Sequence, residues 1–195
     1  MSRDLALVVL AGGEGTRIGG AKPLRSLGGR SLIDRALEQA RHWSSTIAVA
    51  VREESQLGPV HATLIGDDPE VEGPLGGLVA GLSFARSAGS EFLLTIPTDM
   101  PFLPGDLAEK LRGAIADHGS ALASSGGHLH PVCGLWRSSS LESVPAYLAS
   151  GRRSLKGFAE LIGCAQVEWI VAPTDPFFNV NCAEDLAEAE KRLER

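Results

Sequence analysis

Leu5-Ala6-Leu7-Val8-Val9-Leu10-Ala11-Gly12-Gly13-Glu14-Gly15-Thr16-Arg17-Ile18-Gly19-Gly20-Ala21-Lys22-Pro23 is the stretch from which the fold is read. Its first six residues form a continuous apolar run, the pattern of a short strand covered on both faces. The run gives way at once to a loop carrying five glycines, Arg17 and Lys22. Glycines leave backbone N–H groups approachable, so such a loop can wrap a polyphosphate, and the two cations add charge to the dipoles. Two familiar glycine motifs are excluded. A Walker loop needs Gly-Lys followed by Ser or Thr, whereas Lys22 stands between Ala21 and Pro23. The dinucleotide fingerprint G-x-G-x-x-G fails because three residues separate Gly15 from Gly19.

Outward from this stretch, strand and helix patterns alternate. Ser31 reads as the cap of a helix whose apolar stripe is Leu32, Ile33, Ala36, Leu37 and Ala40. Further strands are predicted at Thr46–Val51, His61–Ile65, Phe92–Ile96, Ser120–Ser124, Pro131–Trp136 and Gln166–Val171. Further helices are predicted at Leu75–Ala88, Gly105–Asp117, Leu141–Leu148, Ser154–Ile162 and Ala183–Leu193. Repeated strand–helix units need crossovers, which build a mainly parallel, Rossmann-like sheet in a three-layer α/β/α arrangement. In such a sheet ligands bind beyond the carboxyl ends of the strands.

The composition agrees. The 195 residues are 44% hydrophobic and 22% charged, enough apolar material for one well-buried domain over residues 1–195. With 18 Lys and Arg against 24 Asp and Glu, the net charge of −6 argues against a nucleic-acid partner. No apolar run approaches the roughly 20 residues that span a bilayer, and the first run lacks the flanks of a secretory signal, so no membrane partner is expected. Cys133, Cys164 and Cys182 are odd in number and lack metal-ligand spacing, which suits a reduced, cytoplasmic setting.

The residues that follow each apolar run carry the chemistry. Asp99 lies just past Phe92–Ile96, bracketed by Pro97 and Pro101. It reads either as the organiser of a turn or as a ligand for Mg²⁺, a hard ion that favours oxygen and phosphates. The Gly13–Lys22 loop at the same sheet edge favours the metal. Gly73-Pro74-Leu75-Gly76-Gly77 opens a helix, either to let a flat ring approach its free N–H donors or to pack closely on the sheet. Asp67 and Asp68 either accept from a nucleoside or sit in a solvated turn. Asn181, three residues before Glu184, fits a helix cap; Asn179 has no such role and suggests a site. His128 and His130 share one side of a strand, but no third ligand stands at zinc spacing, so hydrogen bonding is the better role for His130. Arg152 and Arg153 head a helix and read as an anion site or a solvated pair.

Taken in order, Leu10-Ala11-Gly12-Gly13 with Arg17, Gly19 and Lys22, then Gly73-Pro74-Leu75-Gly76-Gly77, Asp99-Met100-Pro101 and Asn179-Val180-Asn181 resemble the molybdenum cofactor guanylyltransferases. These belong to the nucleotide-diphospho-sugar transferase type of fold. His130-Pro131-Val132 and Gly151-Arg152-Arg153 resemble that family's molybdopterin-facing segments. Gly13 and the Gly-Pro-Leu segment favour the guanylyl branch over its cytidylyl relatives.

The resemblance implies Mg²⁺-dependent transfer of GMP from GTP to the terminal phosphate of Mo-molybdopterin, with release of pyrophosphate. It places Leu10, Ala11, Gly12, Gly13, Lys22, Asp67, Gly73, Pro74, Leu75 and Asp99 on GTP, with Asp99 also holding the metal. Arg17, Lys22 and Asp99 take the catalytic roles, and His130, Pro131, Arg152, Arg153, Asn179 and Asn181 face molybdopterin. Partners implied beyond the substrates are a molybdenum-insertion protein and molybdoenzyme chaperones. One position departs: an Asn expected after the second strand is replaced by the apolar Val49 to Val51, followed by Arg52. The competing readings are a cytidylyl- or sugar-1-phosphate nucleotidyltransferase and a non-catalytic nucleotide-binding adapter. Retention of Lys22 and Asp99 speaks against the adapter.

Overall fold

The computed structural model describes residues 4–11, 22–52, 57, 60–68, 71 and 73–194. Among them β1 (Leu5–Leu10) is followed by a 3₁₀ turn at Lys22–Leu24, β2 (Ser26–Leu27), β3 (Arg30–Ser31), α1 (Leu32–Trp43), β4 (Thr46–Val51) and β5 (Thr63–Gly66). Next come α2 (Pro74–Ser87), β6 (Phe92–Pro97), α3 (Leu107–Ile115), β7 (Ser120–Ser125) and β8 (His128–Arg137). The remainder is α4 (Val144–Ala149), α5 (Leu155–Ile162), β9 (Cys164–Trp169) and α6 (Ala183–Leu193). The main sheet has seven strands in the order β5-β4-β1-β6-β8-β7-β9. Only β8 runs against its neighbours, pairing antiparallel with both β6 and β7. The fold is the mainly parallel three-layer α/β/α arrangement that the alternating pattern requires.

The continuous apolar run of β1 is explained by its place in the centre of the sheet. Leu5, Leu7 and Val9 point into a core completed by α1 and α3. Ala6 and Val8 point into the opposite core, completed by α2, α4 and α5. Burying each such Leu or Val side chain contributes roughly 1.5–3 kcal/mol, so both faces must be apolar. Ser31 caps α1, its hydroxyl accepting from the Asp34 N–H at 3.1 Å. A third, smaller core joins Leu27 and Leu32 to Val180 and Ala189 of the C-terminal segment, with Phe102 and Phe178 against it. It ties α6 to the β2–β3 hairpin that follows Lys22.

Several boundaries differ from the sequence expectation, each for a local reason. The Leu141–Leu148 segment begins as a 3₁₀ turn over Ser138–Ser143, and the α-helix starts at Val144, where Pro145 suits the first turn. The helix expected from Gly105 starts at Leu107. The last strand is Cys164–Trp169 rather than Gln166–Val171, because its partner β7 ends at Ser125, which pairs with Trp169. Ile170 and Val171 run past the ladder and are 84% and 45% exposed. The Pro131–Trp136 strand extends to His128–Arg137 but is interrupted. Leu122 pairs with Gly134 and Ala123 with His130, so Pro131, Val132 and Cys133 bulge out of the ladder. Proline cannot donate to a neighbouring strand, which places the bulge here.

From β1 the chain moves outward through β4 to β5, then returns to β6 on the other side of β1. The strand order therefore reverses between β1 and β6, and the carboxyl ends of these two strands are where a ligand can enter.

Candidate active site

A cavity of about 340 Å³ opens along the carboxyl edge of the sheet. It is lined from strand to strand: Asp67 beyond β5, Ala50 and Arg52 at the end of β4, Leu10 at the end of β1, Pro97 and Asp99 at the end of β6, and Val132 from the β8 bulge. Gly73, Pro74 and Gly77 of α2 form its roof. Three strand intervals separate Asp67 from Asp99, roughly 14 Å of edge at ~4.8 Å each.

Its Asp99 end is built from three distant parts of the chain. Lys22 Nζ donates to Asp99 Oδ2 at 2.6 Å and to Asn181 Oδ1 at 2.7 Å. The side chains of Lys22 and Asp99 are only 12% and 18% exposed, so the pair is poorly screened. The Val180 N–H donates to the Asp99 carbonyl at 2.8 Å, which docks the Asn179–Asn181 segment beside the carboxylate. Asn181 is not the helix cap: Cys182 holds that position, and Asp185 closes the capping box by accepting from the Asn181 and Cys182 N–H groups. The Asn181 side chain is thereby released to the Lys22 ammonium. Cys133 lies buried in contact with Met100, its Sγ 3.5 Å from Sδ. Burial, and secondarily the Asp99 charge, pushes its thiol well up, so it is a neutral wall rather than a nucleophile.

Four buried acceptors have no partner among the described residues: Gln39 Oε1 on α1, and Asp67 Oδ1, Asp99 Oδ1 and Asn179 Oδ1. A buried acceptor left unpaired costs about 1–3 kcal/mol, and such groups mark places where a ligand completes the bonding. Asp99 Oδ1 suits a hard cation. One carboxylate with phosphate oxygens and waters is a normal Mg²⁺ site, so the donor set fits that ion without an all-protein cage. Among the described residues no group of three or more His, Cys, Asp or Glu forms such a cage.

At the other end, burial raises the Asp67 carboxyl above the usual carboxylate range, and the nearby Arg52 guanidinium partly offsets the rise. Val49 and Val51, where the resemblance calls for Asn, are fully in the core, and Arg52, which follows them, lines the cavity. The α2 glycines serve both readings. Gly73 caps the helix at φ 72°, a left-handed conformation that favours glycine, and it lines the cavity. A Cβ on Gly77 would stand 2.9 Å from Leu10 Cδ2 and 3.2 Å from Asp67 Oδ1, so its absence lets helix, sheet and carboxylate close on one another. At Gly76 a Cβ would strike the Val71 carbonyl at 2.7 Å, which is close packing.

The remaining expected residues fall into groups. Ala11 is buried, and the Leu75 side chain is fully buried in the α2 core, so it does not face the cavity. Gly12, Gly13 and Arg17 lie outside the described residues. His130 and Pro131 sit at the bulge beside Val132. Arg152 lies over the Tyr147 ring at 5.2 Å and pairs with Glu160 at 3.5 Å, and Arg153 donates to the Leu148 and Arg152 carbonyls. Neither arginine lines the cavity. Sequence reasoning missed Ala50 and Pro97, whose signal is their place as strand ends on either side of the switch point. It also missed Ser125 and Asp175. Ser125 Oγ lies 2.8 Å from His130 Nε2 and donates to Asp175 Oδ1 at 2.9 Å. Burial lowers the His130 pKa, against the opposing pull of Asp175.

Comparison with known proteins gives a consistent result. Residues 7–167 match the MobA-like NTP transferase domain model. A molybdenum cofactor guanylyltransferase of Cereibacter sphaeroides is 38% identical over 190 residues, covering 96% of each chain. In structure, the chain is similar to molybdopterin-guanine dinucleotide biosynthesis protein A from Archaeoglobus fulgidus, with TM-score 0.77, 23% identity and coverage of 97% and 98%. It is also similar to 4-diphosphocytidyl-2C-methyl-D-erythritol synthase from Anaerococcus prevotii, with TM-score 0.75, 15% identity and coverage of 98% and 96%. These two likenesses show the fold. The match along the sequence, at full length and in the same order as the strand-end motifs, is what places this chain in the MobA-like NTP transferase domain family.

Proposed function

We propose that the chain is a molybdenum cofactor guanylyltransferase, transferring GMP from GTP to Mo-molybdopterin with release of pyrophosphate. The observation that carries this reading is the meeting of Lys22, Asp99 and Asn181 at one end of a 340 Å³ cavity whose other end holds a second carboxyl group with an unpartnered oxygen, that of Asp67. The full-length relatives named for this activity supply the substrate pair. Phosphates belong at the Lys22 end and the base at the Asp67 end, where a carboxylate can accept from the N1–H and N2–H₂ donors of guanine. Cytosine offers only one such donor group.

Two anionic groups must meet in this reaction, so the barrier is charge repulsion and misalignment, answered by cations and positioning rather than by a protein nucleophile. Lys22 holds the leaving pyrophosphate and balances the charge that grows on it. Asn181 keeps the ammonium aimed by accepting a hydrogen bond from one of its three N–H donors. Asp99 would hold Mg²⁺ through Oδ1, and that ion would supply screening of the phosphate oxygens. The loop that carries Arg17, Gly12 and Gly13 would wrap the phosphates from the β1 side. The acceptor phosphate is already ionised, so no general base is needed. Molybdopterin belongs on the β8 side, near His130, Pro131 and Asn179, with Arg152 and Arg153 as outlying anion contacts. The whole chain acts as one nucleotidyltransferase domain working in the cytoplasm, where a molybdenum-insertion protein and molybdoenzyme chaperones stand before and after it. No helix among the described residues is long and apolar enough to cross a membrane.

The test is pyrophosphate release with Mo-molybdopterin, Mg²⁺ and each of GTP, CTP and UTP. Release with GTP in at least a hundredfold preference supports the reading. A preference for CTP would replace it with the cytidylyl alternative.

A further inference from the structure

The His130 ring is held more firmly than a general substrate contact requires. Ser125 is fully buried and has one proton, which it gives to Asp175 Oδ1 at 2.9 Å, since a carboxylate only accepts. Its oxygen, 2.8 Å from His130 Nε2, must therefore accept, and Nε2 must carry the proton. Asp175 is itself fixed: the same Oδ1 accepts from the Phe177 N–H at 2.8 Å. The Phe177 ring stacks on His130 at 4.7 Å and 9°, and Trp169 meets Phe177 edge-on at 5.4 Å. Position and proton are both set, while Nδ1 has no bond to any described residue.

His130 belongs to β8, the neighbour of the strand that carries Asp99 at its end, and stands two residues before Val132, which lines the cavity. The nucleotide, on the reading above, takes the β5-to-β6 span. The second substrate is left the side where β8 bulges away.

We infer that Asp175 and Ser125 are positioning residues, holding the His130 ring with its proton on Nε2 so that Nδ1 is a bare acceptor for a ring N–H of the pterin substrate. This rests on the proposed activity for the identity of that substrate but not for the relay itself. A pterin presents several N–H donors, and a neutral imidazole with a fixed tautomer selects one of them by geometry. An unfixed ring would divide itself between donor and acceptor states and lose part of that selectivity.

The experiment uses the ¹⁵N-labelled full chain and needs no turnover. In the wild type at pH 8, His130 should show a bare Nδ1 and a slowly exchanging Nε2 proton. Ser125→Ala and Asp175→Ala should lose the slow proton. Asp175→Asn should keep it, because both donors to Asp175 use Oδ1 and an amide oxygen can take that place. Binding of metal-free molybdopterin, followed by pterin fluorescence, should weaken about tenfold in the two alanine variants and within twofold in Asp175→Asn, the size of one lost hydrogen bond. GTP affinity should not move. A wild-type ring protonated on Nδ1, a slow proton that survives Ser125→Ala, or unchanged pterin affinity in both alanine variants would each overturn the inference. Failure of the activity reading would show separately, as absence of pyrophosphate release from the wild-type chain.

Discussion

Replacing Asp99 by Asn and by Ala separates the two things its carboxylate does. Oδ2 accepts from a Lys22 ammonium that is 12% exposed, at 2.6 Å. Taking one partner from a fully buried ion pair costs 3–5 kcal/mol. This pair retains some solvent, and Asn181 still accepts from the ammonium, so about 2 kcal/mol is the expected loss for Asp99→Ala. For a chain of this length that is a fall in Tm of roughly 4–8 °C. Asp99→Asn keeps an oxygen where Oδ2 stands, so the bond to Lys22 survives without its charge, and the loss should be about 1 kcal/mol. Activity should not follow stability. Either substitution removes the anion whose Oδ1 would hold the proposed metal, and the loss of such an electrostatic group costs about 10²–10³ in turnover. The assay pairs thermal unfolding with pyrophosphate release over a range of Mg²⁺ concentrations. If Asp99→Asn turned over within threefold of wild type, the metal role would be refuted. If its activity fell only as far as its stability explained, the carboxylate would be a structural partner of Lys22 and nothing more.

Further outcomes can be checked alongside. Lys22→Ala should raise the KM for GTP at least tenfold and also slow turnover, since it removes the proposed phosphate contact and leaves Asp99 and Asn181 without their donor; steady-state kinetics reads both effects. Asp67→Asn should weaken GTP binding yet raise Tm by a few degrees at pH 8. The folded chain binds the Asp67 proton to higher pH than the unfolded chain does, so this group subtracts stability as pH rises from the ordinary carboxylate range through its raised pKa. The gain should shrink toward pH 4. Arg52→Ala removes the attraction that lowers the Asp67 pKa, so the acid limb of a GTP-binding titration should move to higher pH; a limb that stayed put would show that Arg52 does not act on Asp67. Gly77→Ala should weaken GTP binding with little change in the sheet, because its methyl group would crowd Leu10 and Asp67 at the cavity roof; calorimetric titration measures it.

The parts legible in the sequence were those governed by local rules. The apolar run of β1, the Ser31 cap and the bounds of β4 and α6 follow from burial, side-chain bonding and periodicity. Asp99 was legible because it follows a buried strand. Asn181 was only half legible. A residue three before Glu184 fits a cap, and nothing local says that Cys182 and Asp185 do that work instead. The β8 bulge was foreshadowed by Pro131, but its length depends on which β7 residues pair on either side. The Ser125–Asp175 contact, across 50 positions, depends on the β7–β8 hairpin meeting the segment before α6. Arg152 and Arg153 read as an anion site because two cations stand before a helix; their contacts in the structure, with Tyr147, Leu148 and Glu160, stay within their own segment.

Lys22 and Asn181 lie 159 positions apart, and every strand of the main sheet is complete by Trp169. A chain interrupted between those points could assemble its scaffold and still leave the ammonium without one of its two anchors. Catalytic competence in this fold is thus conferred late, by the closing segment threading back over a platform that is already built. Loosening the segment that leads into α6, without shortening the helix, should silence the enzyme while leaving the seven-stranded sheet intact.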